Sequence, residues 1–232
     1  MRIVVWNAYM SFGGRKQTAL AELGPDIAVI PECGSLVDVP AGCSAWVGSN
    51  RHKGLAVLSY GDYRVSLDSK HDASIQWAAP ITVTGPHSFF LLAIWEQRPY
   101  GEGVQSALEL YRDRLTSGAA VVAGDFNQSS IWDRPNRPRN HTRTVGLLEE
   151  LGLASAYHHH FEVDQGKELH PTHYWHYNPA TTFHIDYCFM PEQWCERITA
   201  VAVGSASDWI HTVPRLSDHV PLIVDVELTP TS

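Results

Sequence analysis

Three stretches of this sequence place acidic and amide side chains directly after short apolar runs. Ile3-Val4-Val5-Trp6 leads into Asn7. Ile27-Ala28-Val29-Ile30-Pro31 leads into Glu32-Cys33-Gly34, and Ala119-Ala120-Val121-Val122-Ala123-Gly124 into Asp125-Phe126-Asn127. A polar residue at the end of a buried strand lies at the rim of a sheet, where ligands of open α/β sheets bind. Carboxylates that converge there repel one another, and a cation relieves the repulsion. Hard oxygen ligands in small number suit Mg²⁺ or Mn²⁺, which keep some waters for exchange with a substrate.

Side-chain directions refine this. Asp125 and Asn127 are two apart, so in an extended backbone they project to one side and can hold a water or a phosphate oxygen between them. Asp218 and His219 are adjacent and point to opposite sides. A different carboxylate must therefore orient His219, and Asp186 in His184-Ile185-Asp186-Tyr187 is the best placed. Such an Asp–His pair raises the basicity of the imidazole and fixes its tautomer. Asp218 is then free to approach the cation.

The elements that must position these groups are short and regularly spaced. Ile3–Trp6, Ile27–Ile30, Leu55–Leu58, Phe89–Ile94, Ala119–Ala123, Ile185–Met190 and Val220–Val226 read as buried strands. Lys16 to Leu23, closed by Gly24-Pro25, reads as a helix. So do the segment carrying Val104, Leu108, Tyr111 and Leu115 on one face, and Thr144 to Leu151 before Gly152. Many strands with few helices between them predict two sheets packed face to face with helices outside, in one domain spanning residues 1–232.

The 232 residues, 44% hydrophobic with eight Trp, suffice for a packed core. No apolar run approaches the roughly 20 residues of a membrane span. The first residues read directly as a strand without a signal-peptide pattern, so a cytoplasmic protein with no membrane partner is expected. Four cysteines without a CxxC pair are expected to be free thiols. A net charge of −8 argues against coating nucleic acid by bulk electrostatics, but leaves a locally basic cleft open.

Each fragment alone reads as an ordinary turn or cap. In this order and spacing they resemble the endonuclease/exonuclease/phosphatase superfamily. That group includes deoxyribonuclease I-like enzymes, abasic-site endonucleases, sphingomyelinases and inositol polyphosphate 5-phosphatases. The resemblance runs from Val4-Val5-Trp6-Asn7 to Ser217-Asp218-His219-Val220-Pro221-Leu222, with Pro25-Asp26-Ile27 and Lys53-Gly54-Leu55-Ala56-Val57-Leu58-Ser59 matching further strand signatures. It implies a four-layer α/β sandwich and a Mg²⁺- or Mn²⁺-dependent phosphoester hydrolase, with a monomer the usual state. Glu32 would be the main metal ligand, with Asn7 beside it and Asp218 a further ligand. Asp125 would position or activate the attacking water, Asn127 would hold a phosphate oxygen, and His219, held by Asp186, would stabilise the transition state or act as base. The sequence departs from the family at Pro31, where Gln is usual, and at Trp95-Glu96-Gln97-Arg98, where His or Tyr often contacts the phosphate. Trp95 and Gln97 are the candidates for that contact here.

The substrate stays open between nucleic acid and a small or lipid-headgroup phosphoester, with an inactive binding module as a third reading. Thr172-His173-Tyr174-Trp175 and Phe183-His184-Ile185-Asp186 resemble the pair of segments that shapes the base or abasic-sugar pocket, which nominates Trp175 and Phe183. Trp132 to Arg143 carries four arginines within ten residues, and Arg134, Arg137 and Arg139 are candidate backbone-phosphate contacts, with Arg51-His52-Lys53 a candidate extension. The histidine-rich stretch at His158-His159-His160, His170, His173 and His176 matches no metal spacing, and a polar surface segment is expected there.

Overall fold

The computed structural model describes residues 1–36, 39–134, 137 and 139–229. In chain order the elements are β1 Arg2–Val5, α1 Arg15–Glu22, β2 Ile27–Cys33, β3 Ser44–Asn50, β4 Lys53–Ser59, β5 Arg64–Leu67, β6 Ala78–Thr84, β7 Phe89–Trp95, α2 Glu102–Leu110, α3 Arg112–Thr116 and β8 Ala120–Asp125. There follow α4 His141–Glu150, β9 Leu153–Ser155, α5 Ala156–Phe161, β10 His173–Tyr174, β11 Thr182–Phe183, β12 Asp186–Pro191, α6 Glu192–Cys195, β13 Ile198–Val203, α7 Ala206–Trp209 and β14 Leu222–Val226.

Two six-stranded sheets result, in the orders β13-β14-β1-β2-β4-β3 and β5-β6-β7-β8-β12-β9. Both are mixed: β1–β2 and β7–β8 run parallel, and the other neighbours antiparallel. Their inner faces close one apolar layer, in which Ile3, Val29 and Val57 meet Leu91, Val121 and Met190. Helices α2 to α4 cover the outer face of the second sheet. Leu20 of α1, with Trp209, Ile210 and Leu216, covers the outer face of the first. Because both faces are buried, the strands are continuous apolar runs rather than alternating ones. The four layers predicted from the sequence are present.

Some details differ. The 104–115 segment is two helices, broken at Tyr111, whose hydroxyl donates to Lys70 O at 3.2 Å. Of the two six-stranded sheets, β3, β5, β6, β9 and β13 went unread in the sequence. All four cysteines are free, three buried and Cys43 half-buried. Among the described residues no helix is long and apolar enough to cross a membrane.

Candidate active site

The central strands of both sheets end at the same rim. Asp125, the last residue of β8, is in register with Trp95 of β7 on one side and Asp186 of β12 on the other. Gly124 precedes it because a Cβ there would lie 1.8 Å from Ile94 O, at a φ of +148°. Thr172 Oγ1 accepts the Ile185 and Asp186 N–H groups at 3.1 and 3.2 Å, which fixes the start of β12. From the first sheet, Asn7 donates through Nδ2 to Asp125 Oδ2 at 2.8 Å. Ser217 Oγ donates to Asn7 O at 2.7 Å and accepts from His219 N at 3.0 Å, so the Ser217–His219 turn is fastened to the end of β1.

The result is a buried acid–imidazole cluster. Asp125 is 1% exposed and His219 4%. His219 Nδ1 meets Asp186 Oδ2 at 2.8 Å, and its Nε2 faces Asp125 Oδ2 at 4.0 Å, too far for a hydrogen bond. Burial opposes charge on His219, but Asp186, Asp125 and Asp218 outweigh it and raise its pKa to about 10. The cluster therefore stores a proton on the imidazole, with a free Nε2–H aimed into the crevice. Burial pushes the Asp125 carboxyl up and the charge of Asp186 adds to this; His219, Asn7 and Asn127 oppose it.

Asp125 and Asn127 are not joined as an extended pair. Asn127 has φ +49°, and the chain turns so that its N–H donates to Asp125 Oδ1 at 2.8 Å. Its Nδ2 is shared between Asp125 Oδ2 (3.1 Å) and Glu96 O (3.1 Å). The turn competes with the strand because Asn tolerates this backbone region and Asp caps it.

Asp218 lies 3.8 Å from His173 Nε2. Burial raises the Asp218 carboxyl, but His173 and His219 more than offset it and hold it below its usual value. Glu32 has φ +54°, in a bulge where the β2–β4 register shifts between Ile30 and Cys33. Backbone outside the usual regions concentrates at functional sites. Ala8 N donates to Pro31 O at 2.9 Å, so Glu32 lies beside the end of β1. Burial lowers the pKa of Lys16, and the charges of Cys33, Asp218 and Glu32 oppose this.

The donor set fits a hard divalent cation. Asp186 Oδ1 and Asp218 Oδ1 are buried acceptors without a hydrogen-bond partner, and Glu32 already attracts the Lys53 ammonium at 3.1 Å. Asp125, Asp186 and His219 offer ligand atoms within 4.8 Å of one another, close enough to share an ion.

The remaining candidates divide. Trp95 is 2% exposed and lies in the layer between the sheets, with Lys53 Nζ 4.9 Å from its ring centroid. It is core, not open cleft wall, because an odd-numbered inward position on β7 continues the Leu91–Ala93 face. Gln97 is half-buried, its amide turned to Glu96 O at 3.3 Å. Trp175 (52% exposed) and Phe183 line a cavity of about 320 Å³ together with Asn127 and His173, so this pair reaches the site. Tyr174, next to Trp175, is buried. Arg134 and Arg137 are exposed, whereas Arg139 turns to Glu102 and Arg143 to Glu150 in a separate cleft between α2 and α4. Pro135, Asn136 and Pro138 of that loop lie outside the described residues.

The histidine-rich stretch disperses. His158 pairs with Glu168 at 3.0 Å, His170 with the Tyr157 hydroxyl at 2.9 Å and His173 with Asp218, while His159, His160 and His176 are exposed. Among the described residues these side chains form no metal-binding group. Sequence reading missed Lys53 as the partner of Glu32, His173 as the partner of Asp218, Arg98, Tyr100 and Trp132 around the aromatic cavity, and the buried Glu96 behind the Asn127 turn. The motif Thr172-His173 and the departure at Glu96 were the available signals.

No protein-family model and no curated protein sequence matches the chain. Solved structures do. A 3′ phosphatase, NExo, from Neisseria bound to product DNA hairpin aligns with TM-score 0.69 and 18% identity over 98% of this chain and 100% of its own. An AP endonuclease from Archaeoglobus fulgidus aligns at 0.68 and 19% over 98% and 100%. An endonuclease/exonuclease/phosphatase from Beutenbergia cavernae aligns at 0.61 and 17% over 100% of this chain and 73% of its own. At such identities the likeness concerns architecture, and by that measure this chain has the deoxyribonuclease I-like fold of the endonuclease/exonuclease/phosphatase proteins.

Proposed function

We propose that this chain is a Mg²⁺- or Mn²⁺-dependent phosphodiesterase whose substrate is nucleic acid. The observation that carries the hydrolase reading is the buried Asp125–His219–Asp186 cluster at the rim where both sheets end. A divalent ion held by Glu32, Asp218 and Asn7 would supply positive charge beside the phosphate. The chain's own groups account for the rest. Asp125, in its ionised form a stronger base than an ordinary aspartate because burial raises its pKa, accepts a proton from the attacking water as that oxygen bonds to phosphorus. His219 Nε2–H donates to a non-bridging oxygen as charge builds there, and Asp186 keeps the proton on Nδ1 and the ring oriented. Asn127 contacts a phosphate oxygen by giving up its 3.1 Å bond to Asp125. The ester oxygen on the opposite side of phosphorus leaves with the bonding pair and takes its proton from solvent.

Two features favour nucleic acid over a small phosphoester. Trp132, Trp175, Phe183 and Tyr100 wall the cavity next to Asn127, a surface on which a base or sugar can stack. On the Glu32 and Asp218 side, a groove of about 770 Å³ is lined by Arg15, Lys16, Arg51, His52 and Arg215 and, among the described residues, by no carboxylate. In a chain of net charge −8 this local excess suits a phosphate backbone. A small phosphoester would need only the crevice.

The test is an activity screen on plasmid DNA, an abasic oligonucleotide, RNA and bis-p-nitrophenyl phosphate, with Mg²⁺, Mn²⁺ or a chelator. Metal-dependent cleavage of a nucleic acid, abolished by His219→Ala, is the expected result. Hydrolysis of the small diester alone would favour the small-phosphoester reading, and no hydrolysis of any substrate would overturn the enzyme.

A further inference from the structure

Glu96, directly after β7, is a carboxylate 1% exposed with donors on every side. Oε1 accepts the Val104 N–H at 3.1 Å and Gln128 Nε2 donates to Oε2, while the nearby Gly101 and Gly103 N–H groups also favour the charged carboxylate. Among the described residues it has no cationic partner. Burial drives its pKa up to about 7 against the pull of these donors. Its main chain is committed as well: the N–H donates to Asp125 O at 2.9 Å, and the carbonyl accepts Asn127 Nδ2 at 3.1 Å.

A buried, unpaired carboxylate is a costly way to cap a helix. A Ser or Asp at the N-cap of α2 would do that work at the surface, yet Gly101 stands there without a side-chain cap. What distinguishes Glu96 is the set of pieces it joins. Its backbone touches the Asp125–Asn127 turn. Its side chain grips Gln128, whose carbonyl accepts the Tyr187 hydroxyl at 3.1 Å, and the start of α2. Between Glu96 and α2 the chain bows out through Arg98 and Tyr100, which wall the aromatic cavity, the Arg98 guanidinium 5.7 Å from the Tyr100 ring centroid.

We propose that Glu96 is a positioning residue that sets substrate specificity: it locks the Arg98–Tyr100 wall to the Asn127 turn, so that the unit in the aromatic cavity and the scissile phosphate are held at one spacing. The functional half of this rests on the phosphodiesterase reading; the mechanical half does not.

The experiment compares removal of the acceptors with a conservative replacement. Glu96→Leu keeps the bulk and removes both oxygens. Glu96→Gln keeps an oxygen for the helix N–H groups, and its NH₂ can donate to the Gln128 amide oxygen once that amide turns over. Hydrogen–deuterium exchange is measured on peptides covering 97–104 and 126–129. In Glu96→Leu both are expected to exchange faster together, by about tenfold for a lost hydrogen bond, and to recover in Glu96→Gln. The ratio of kcat/KM for an intact over an abasic-site oligonucleotide is expected to move about tenfold towards one in Glu96→Leu and to return in Glu96→Gln. A plain stability defect would lower both substrates alike. Faster exchange confined to 101–104, or an unchanged ratio, would reduce Glu96 to a helix cap and overturn the proposal. If the wild-type protein cleaves no phosphodiester, the hydrolase reading falls, and the exchange data still decide whether the two segments are locked.

Discussion

His219 Nδ1 lies 2.8 Å from Asp186 Oδ2, while its other ring nitrogen faces Asp125 across 4.0 Å. One side of the ring is thus bonded and the other is available. Removing the ring (His219→Ala) or the available carboxylate (Asp125→Asn) is expected to lower kcat by about 10² to 10⁴-fold without unfolding the protein. Steady-state kinetics beside a melting curve measure this, and near-normal turnover in either variant would remove the cluster from the mechanism.

The same pair fixes a pH response. With its pKa raised to about 10, His219 is imidazolium through the neutral range, and the Nε2–H donor is lost only as pH rises towards that value. Its contribution to stability is full below the unfolded value of 6.5 and disappears as pH rises through about 10. In Asp186→Asn the alkaline limb of kcat/KM should move down by more than about one pH unit. A limb that stays in place would mean that His219 is not the group that titrates.

Lys53 competes with any cation for Glu32. The pair is half exposed at the lysine, so the effect is modest: Lys53→Met should tighten Mn²⁺ binding by about two- to fivefold. Calorimetric titration in the absence of substrate reads this directly. Equal affinities would show that Glu32 is not where the ion binds.

Arg51 and Arg215 line the basic groove, and Arg215 stacks 4.3 Å over the Tyr177 ring centroid without a carboxylate partner among the described residues. Reversing both to Glu should weaken oligonucleotide cleavage and flatten its dependence on salt by about two phosphate contacts, while bis-p-nitrophenyl phosphate is hydrolysed as before. An unchanged salt slope would move the backbone path elsewhere.

Glu168 offers a stability test remote from the crevice. Burial alone would raise its carboxyl, but His158 and the Gly166 N–H hold it down to about 2. Its contribution, about 2 to 3 kcal/mol, is present above its unfolded value of 4.5 and is lost as pH falls towards 2. Glu168→Gln should therefore be less stable than wild type at pH 7, with the gap closing in acid. Denaturant melts at pH 7 and pH 3 would show it, and a constant gap would argue that packing rather than charge is lost.

Much of the site was legible because each polar residue follows a run that only a doubly covered strand would have. Asn7, Glu32 and Asp125 were placed this way, and Asp186 was paired with His219 by excluding its chain neighbour. What escaped has three physical causes. Strands β3, β5, β9 and β13 are edge strands, short or partly exposed, so their residues lack a continuous apolar signature. The inner strand β6 carries Pro80, Thr82 and Thr84, which break up its apolar run. Lys53, His173 and Glu96 act through partners that only the packing of the two sheets reveals. Asn127 was misdirected because an Asx turn overrode strand geometry within two residues. Trp95 was read as a phosphate contact from its position in the motif, but a large ring on an inward-facing strand position fills the core instead.

Strand β1 takes its antiparallel partner from β14, and the Asn7 carbonyl accepts its hydrogen bond from Ser217. The first and last strands of this domain must therefore meet before Asp125 and His219 face each other. A ribosome-bound chain still short of residue 217 carries Asn7, Glu32, Asp125 and Asp186 yet has no assembled crevice. If the chain is the nuclease proposed above, its crevice is unable to cut until the last strand of the first sheet has been made.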